Sequence, residues 1–307
     1  MKKLVLAALI LVSAVAHAAF FDSGQGARPT GLGEAFVAVA DDANAMYYNP
    51  AGMIQIKMIS TTATYTGYME GLSDSFAAIV VPVPGYGAIG ISWLGLTAAS
   101  SYSESTLKVA YAYPITKQYT VGLALKLLSK SYTLDSVASG NPFFSATSAS
   151  GLGIDASFFG KLTDEIALGA SIENINVPDI NVGSSDPVPM NIRVGGRYKL
   201  DRSLLVALEG DLSGEDAKIK GGSEYWLDSG LLKELGVGNS ELGFRGGVGY
   251  GNNSYLNVDL GFSFYLPSKI VDLRFDYSFT MPLMYIEGAG THRFSICITE
   301  PRPAFNL

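Results

Sequence analysis

From Ile56 onward the chain alternates apolar and polar residues in period two. About fourteen such segments follow one another, each bounded by Gly, Pro, Asn, Asp or Ser, the pattern of half-buried strands separated by turns. They fall near 56–66, 74–83, 87–96, 105–115, 119–133, 150–160, 165–175, 190–200, 203–212, 217–227, 241–250, 254–266, 270–280 and 290–299. Most run to about 9–13 residues, where strands of soluble proteins average about 5–6 and a strand tilted across a bilayer needs ~9–11. So many long strands would leave long open edges unless the sheet closed on itself. The pattern predicts an all-β protein, a closed antiparallel transmembrane β-barrel.

The faces are unequal. Leu256, Val258, Leu260, Phe262, Phe264 and Leu266 alternate with Asn257, Asp259, Gly261, Ser263 and Tyr265. Val271, Leu273, Phe275, Tyr277 and Phe279 alternate with Asp272, Arg274, Asp276, Ser278 and Thr280, and Ile192, Val194 and Tyr198 with Arg193, Arg197 and Lys199. On a lipid face each Lys or Arg near the midplane would cost roughly 2–4 kcal/mol, so the charged face points to the lumen. Arg193, Arg197, Glu209, Asp211, Asp259, Asp272, Arg274 and Asp276 are the central lumen charges, joined by Lys199, Lys218, Lys220, Glu224, Arg245 and Arg293. A three-residue turn at Leu200–Arg202 would set Arg193 opposite Glu209 and Arg197 opposite Leu205, predicting an Arg193–Glu209 pair. These charges either bind the wall to a plug or line a pore.

Connection lengths also alternate. Gly67–Ser73, Thr97–Glu104, Leu134–Ala149, Asn176–Pro189 and Met281–Ala289 are long, as external loops are. Pro84–Tyr86, Thr116–Gln118, Lys161–Asp164 and Asp201–Arg202 are short; Asp228–Ser240 and Gly251–Asn253 break the parity.

Ahead of the strands lies a stretch of another kind, GLGEAFVAVADDANAMYYNPAG from Gly31 to Gly52, rich in small residues and compatible with short helices. Before it, Lys2 and Lys3, the apolar run Leu4–Val15 and Ala16-His17-Ala18 form a secretory signal over residues 1–18. Its apolar run falls short of the ~20 residues that span a bilayer. Removing Lys2 and Lys3 leaves 19 basic residues against 28 acidic, a charge of −9, with no basic stripe for nucleic acid. Cys297 is the single cysteine, so no internal disulfide forms.

The string GLGEAF-VAVADDANAMYYNPAGM, with Gly26-Ala27-Arg28-Pro29 before it, resembles the N-terminal signature of FadL-type outer-membrane proteins, and more closely that of their shorter PorV/PorQ-like branch. LGASIENI at 168–175, NIRVGGRY at 191–198, DLRFDYSF at 272–279 and THRFS at 291–295 resemble the same branch, so the similarity spans nearly the whole mature chain. It implies a bacterial outer-membrane barrel of fourteen strands with an N-terminal hatch in the lumen. The divisions are then a signal at 1–18, a hatch at 19–55, a barrel at 56–299 and a tail at 300–307. Two departures are the modest loops and the tail EPRPAFNL, which replaces a strand-terminal aromatic.

The hatch motif comprises Gly31, Gly33, Asp41, Asp42, Asn44, Asn49, Pro50, Ala51 and Gly52. Asp41, Asp42 and Asn44 read as caps of short turns rather than a metal or acid/base site, since no His or Cys lies near. In Asn49-Pro50-Ala51-Gly52, Pro sets φ and Gly permits close approach; the resemblance makes Asn49 an anchor to the wall. Gly85-Tyr86-Gly87-Ala88-Ile89-Gly90 matches GxGxxG, but a strand follows it rather than a helix, so it is a hairpin turn. The mature chain's one histidine, His292, falls on the apolar face of the last strand, which gives a Ser-His mechanism no support. No catalytic residue, metal ligand or cofactor is expected. Two readings remain. One is passive uptake of a hydrophobic small molecule, fatty acid or hydrocarbon, gated by the hatch. The other is a PorV-like partner barrel in a secretion or surface-attachment complex, with an apolar loop Met281-Pro282-Leu283-Met284-Tyr285-Ile286. Both require outer-membrane lipid.

Overall fold

The alternating segments close into a ring. The computed structural model describes residue 20 and residues 23–69, 71–98, 101–133, 147–182, 185–201, 203–227, 229–234, 239–284 and 290–301. The strands are β1 (Ser60–Met69), β2 (Leu72–Val83), β3 (Gly87–Ala98), β4 (Tyr102–Pro114), β5 (Tyr119–Tyr132), β6 (Ser148–Lys161) and β7 (Ile166–Glu173). Then come β8 (Asn191–Lys199), β9 (Leu204–Ser213), β10 (Asp216–Leu227), β11 (Glu241–Gly251), β12 (Leu256–Leu266), β13 (Asp272–Pro282) and β14 (Thr291–Thr299). Each is antiparallel to the next and β14 pairs back onto β1, so the barrel is closed with fourteen strands in chain order. The signal at 1–18 and residues 302–307 of the tail lie outside the described residues.

Every expected strand is present, with shifted ends. β1 starts at Ser60 because Pro50–Gln55 coils into a 3-10 helix first. β7 stops at Glu173 because Asn174 takes a φ of 56° and turns the chain away. The Pro84–Tyr86 connection is a hairpin turn with Gly85 at φ 82°, as its sequence requires. Loop parity is weaker than expected: β2 and β4 begin early, so only residues 70–71 and 99–101 separate them from the strands before, while 133–147, 174–190 and 283–290 are long. The exceptional 228–240 connection carries a short helix, Ser229–Glu234.

Burial is inverted relative to a water-soluble protein. Leu123 and Leu125 are each 64% exposed, while Lys220 and Glu209 are each 1% exposed. Charged side chains are almost never fully buried unless paired, and outward Leu, Ile, Val and aromatics on most strands make an apolar exterior suited to lipid. His292 lies on that exterior, its Nδ1 2.9 Å from the Tyr277 hydroxyl.

The core is not between sheets but around the N-terminal segment. Residues 23–55 sit inside the ring as helix α1 (Ala27–Gly31), helix α2 (Ala45–Tyr48) and the 3-10 helix Pro50–Gln55. Leu32, Phe36, Val39, Met46 and Met53 belong to one buried cluster with Ala88, Ala110, Ala112 and Ala124 of the wall, whose small side chains leave room for the segment. α1 touches β11–β14 instead, the charged side of the lumen.

Candidate functional site: the lumen segment and its cavity

The segment is tied to the wall by charge. Arg28 lies at the centre: Nε and Nη2 donate to Glu224 of β10 at 2.7 and 2.8 Å, a fork-to-fork pair, while Nη1 donates to Asp41 at 2.5 Å and Asp42 at 2.9 Å. Glu224 also accepts from Arg245 Nε at 2.6 Å, and Asp42 from Arg274 Nη2 at 2.7 Å. Arg274 passes on to Asp276 at 2.9 Å. The network therefore runs Asp41/Asp42–Arg28–Glu224–Arg245 and Asp42–Arg274–Asp276. Asp42 Oδ1 accepts from the backbone and side-chain nitrogens of Asn44, closing the local turn.

Backbone groups are held as well. Glu209 accepts from Phe36 N and Val37 N at 2.9 and 2.8 Å, satisfying irregular backbone that no helix or strand serves. Lys220 bridges Glu34 at 2.9 Å and Asp211 at 2.7 Å. Asn49 donates to Val37 O and to Phe158 O of β6, and its Oδ1 accepts from Ala51 N, so one side chain caps the 3-10 helix and fastens it to the wall. Pro50 occupies the first turn, where its missing N–H costs nothing. Ala51 N also donates to Ser157, and Gly52 lies against Ala40.

All eight central lumen charges are inside the ring, and six of them join this network or the cluster beside the cavity. Asp272 does other work, accepting from Tyr265 and Ser268 N at the β12–β13 turn. Asp259 accepts from Thr280. The expected facing pair needs correction. Arg193 faces Asp211, and Arg197 faces Ala207, two rungs from the sequence register. The cause is the turn, which takes in Ser203 because Asp201 accepts from both Ser203 N and Leu204 N. A slip of two preserves the faces, so Glu209 still lies 3.9 Å from Arg193, while Glu173 at 2.5 Å is the nearer partner. Arg197 reaches Gln55 at 2.9 Å and Asp41 at 3.7 Å.

Beside α2, toward the long loops, lies a cavity of about 90 Å³. Phe20, Phe76, Leu94, Leu96, Leu128 and Val188 give its apolar wall, with Met46 and Tyr47 of the segment below. Lys108, Lys126 and Arg193 also line it. Lys108 and Lys126 hold Asp155 at 3.0 and 2.9 Å, and Lys126 holds Glu173 at 3.2 Å. The Lys108, Lys126, Asp155 and Glu173 cluster, like the bonding role of Arg28, was not among the sequence candidates. The cluster residues sit at lumen positions of their strands and are legible by the same alternation.

The Asp42 carboxyl gives a pH test. Burial alone would raise it, but the Arg274 and Arg28 guanidiniums outweigh burial and hold it well below the usual carboxylate range. A depressed folded value stabilises docking above the unfolded value of about 3.9, and that stabilisation is lost as pH falls through the folded value. The contribution of Asp42 to docking is therefore expected to be unchanged from neutral pH down to about 4. Acid protease digestion near that pH should leave residues 23–55 intact, whereas cleavage there would contradict the assignment.

The fold and this interior define a class, the fourteen-stranded membrane barrel filled by its own N-terminal segment. No protein-family profile and no curated protein matches the chain. Solved structures do. The Ralstonia pickettii toluene transporter TbuX is similar at a TM-score of 0.62 and 16% identity over 91% of this chain and 99% of that one. The Pseudomonas putida toluene transporter TodX gives 0.57 and 13% over 90% and 96%. A Pseudomonas aeruginosa FadL homologue gives 0.59 and 13% over 88% and 96%. At these identities the likeness is one of fold.

Proposed function

We propose that the protein is an outer-membrane barrel for passive uptake of small hydrophobic molecules, with residues 19–55 as the hatch. The carrying observation is the apolar cavity between the segment and the long loops. Its size selects within the fatty-acid and hydrocarbon classes. A cavity of about 150 Å³ holds benzene, so at about 90 Å³ this one must widen by about two-thirds to take a single ring and is far too small for an extended acyl chain. Its chemistry agrees: the lining cations Lys108, Lys126 and Arg193 already face Asp155 or Glu173, which favours a neutral ligand over a carboxylate. The likeness to two toluene transporters supports the same class.

Filling the cavity tests the reading. Leu94→Trp adds bulk where Leu94 lines the space, and is expected to lower uptake of radiolabelled toluene by cells carrying the protein about ten-fold, with barrel assembly unchanged. Uptake equal to wild type would count against this cavity. A wild-type protein that moves no hydrocarbon would favour the PorV-like partner reading, for which the exposed Met281, Leu283 and Met284 at the rim are the supporting observation.

A further inference from the structure

The cavity has a polar pole that the uptake reading leaves unused. Part of its wall is a run of adjoining strands in register. Asp74 of β2 faces Leu96 of β3, which faces Glu104 of β4, and the next rung inward is Phe76, Leu94 and Thr106. All of these line the cavity. Apolar and polar lining therefore lie one rung apart, about 7 Å along the strand.

Asp74 is 2% exposed, and its two oxygens differ. Oδ2 accepts from three donors: the Tyr68 hydroxyl at 2.6 Å, Gln25 Nε2 at 2.9 Å and the Ser23 hydroxyl at 3.3 Å. Oδ1 accepts from none. Among the described residues Asp74 has no ion pair, unlike Asp155 and Glu173. Asn174, also buried on the lining, holds a second free acceptor in its Oδ1, while its Nδ2 donates to Pro189 O at 2.9 Å. A buried acceptor without a donor is uncommon and costly. On a cavity lining, the donor that matches it belongs to what fills the cavity.

Charge on the lining narrows what can carry that donor. Asp74, Glu104 and Glu173 are set against Lys108, Lys126 and Arg193, three acids and three bases, so neither an ammonium nor a carboxylate is favoured. The donor is then a neutral O–H. We propose that the cavity takes a hydroxylated single-ring molecule of the phenol class, its ring against Phe76 and Leu94 and its hydroxyl donating to Asp74 Oδ1 one rung outward. The chain's own phenols already make this kind of bond at the same rung: Tyr68 to Asp74, and Tyr102 to Glu104 at 2.5 Å. The ligand's arrival rests on the uptake reading above; its binding is measured without transport.

Phenol and toluene differ by a hydroxyl in place of a methyl, so the cavity must widen equally for both and their comparison reads hydrogen bonding. Equilibrium dialysis of each labelled compound against the purified barrel, with empty micelles as blank, gives the affinities. Asp74→Asn is nearly isosteric. Its amide oxygen should take the place of Oδ2, where three donors converge, which leaves the Nδ2 donor in the place of Oδ1. Phenol is expected to bind Asp74→Asn about ten-fold more weakly than the wild type, benzaldehyde, whose carbonyl accepts, about ten-fold more tightly, and toluene about equally. A loss shared by phenol and toluene, or no change in either, would overturn the assignment; a structural or water-satisfied Asp74 gives those results. Should Asp74→Asn fail to assemble, the wild type decides. There phenol should bind about ten-fold more tightly than its transfer from water into hexadecane implies, with toluene as the reference. Binding of both in proportion to that transfer would overturn it. Asp74-dependent phenol binding by a protein that carries neither compound across the membrane would sink the uptake reading and leave the site standing.

Discussion

Arg28→Ala is expected to release residues 23–55 from a barrel that otherwise stays assembled. The guanidinium faces Asp41, Asp42 and Glu224, and its side chain is nearly enclosed. Removing one partner of a buried ion network strands the others, which costs about 3–5 kcal/mol because the remaining charges keep their desolvation penalty. Glu224 keeps Arg245 at 2.6 Å and Asp42 keeps Arg274 at 2.7 Å, whereas Asp41 keeps only Arg197 at 3.7 Å, so the loss falls hardest on Asp41 and on the shared geometry. Arg28→Lys keeps the charge but cannot grip both oxygens of Glu224 while reaching two aspartates, so an intermediate effect is expected. The measurement is limited proteolysis of the folded protein, with the heat-resistant gel migration of the intact barrel as control. Cleavage within 23–55 should be fast in Arg28→Ala, slower in Arg28→Lys and slowest in the wild type. Identical rates in all three would show that the network does not hold the segment.

What the sequence revealed and what it hid divide along a physical line. In a barrel between lipid and a charged lumen, the two solvents dictate alternate residues, so Val194 and Arg197 declare their faces without a structure. A face is not a rung. Asp201 moved the centre of one turn a residue further along the chain, and Arg193 came to face Asp211 in place of Glu209 while every side chain kept its side. Positions set by irregular backbone were harder still. Arg28 sits in a segment without a period, and nothing in its neighbours announces Glu224, far along the chain. The Asn49–Ala51 turn was legible because Asn, Pro and Gly carry their conformational reasons with them. The early end of β7 was not, since it depends on Asn174 turning left-handed.

Gly247→Val is expected to dislodge the segment from the wall side, with a larger effect than any single lost bond. Gly247 of β11 faces the lumen, and a Cβ there would fall 2.1 Å from Gly33 N and 2.4 Å from Gly33 Cα. These are backbone atoms, and Gly33 itself holds φ 66°, so a rotamer change cannot relieve the clash. Across the same seam a Cβ on Gly222 would meet Leu32 O at 2.4 Å. The segment and the wall touch backbone to backbone, which explains the glycines on both sides better than turn formation does. Overpacking a core costs typically about 1–3 kcal/mol where side chains can shift, and here they cannot. Valine suits a strand, so the ladders from β11 to β10 and β12 should persist. The neighbouring Gly246→Val is the control, because a Cβ there meets nothing within 4 Å. In planar bilayers and under protease, Gly247→Val is expected to conduct and to be cut within 23–55, while Gly246→Val behaves as wild type. A Gly247→Val protein that stays closed and uncut would mean that the segment can slide along the wall without leaving it, and that the seam of glycines sets its position rather than its occupancy.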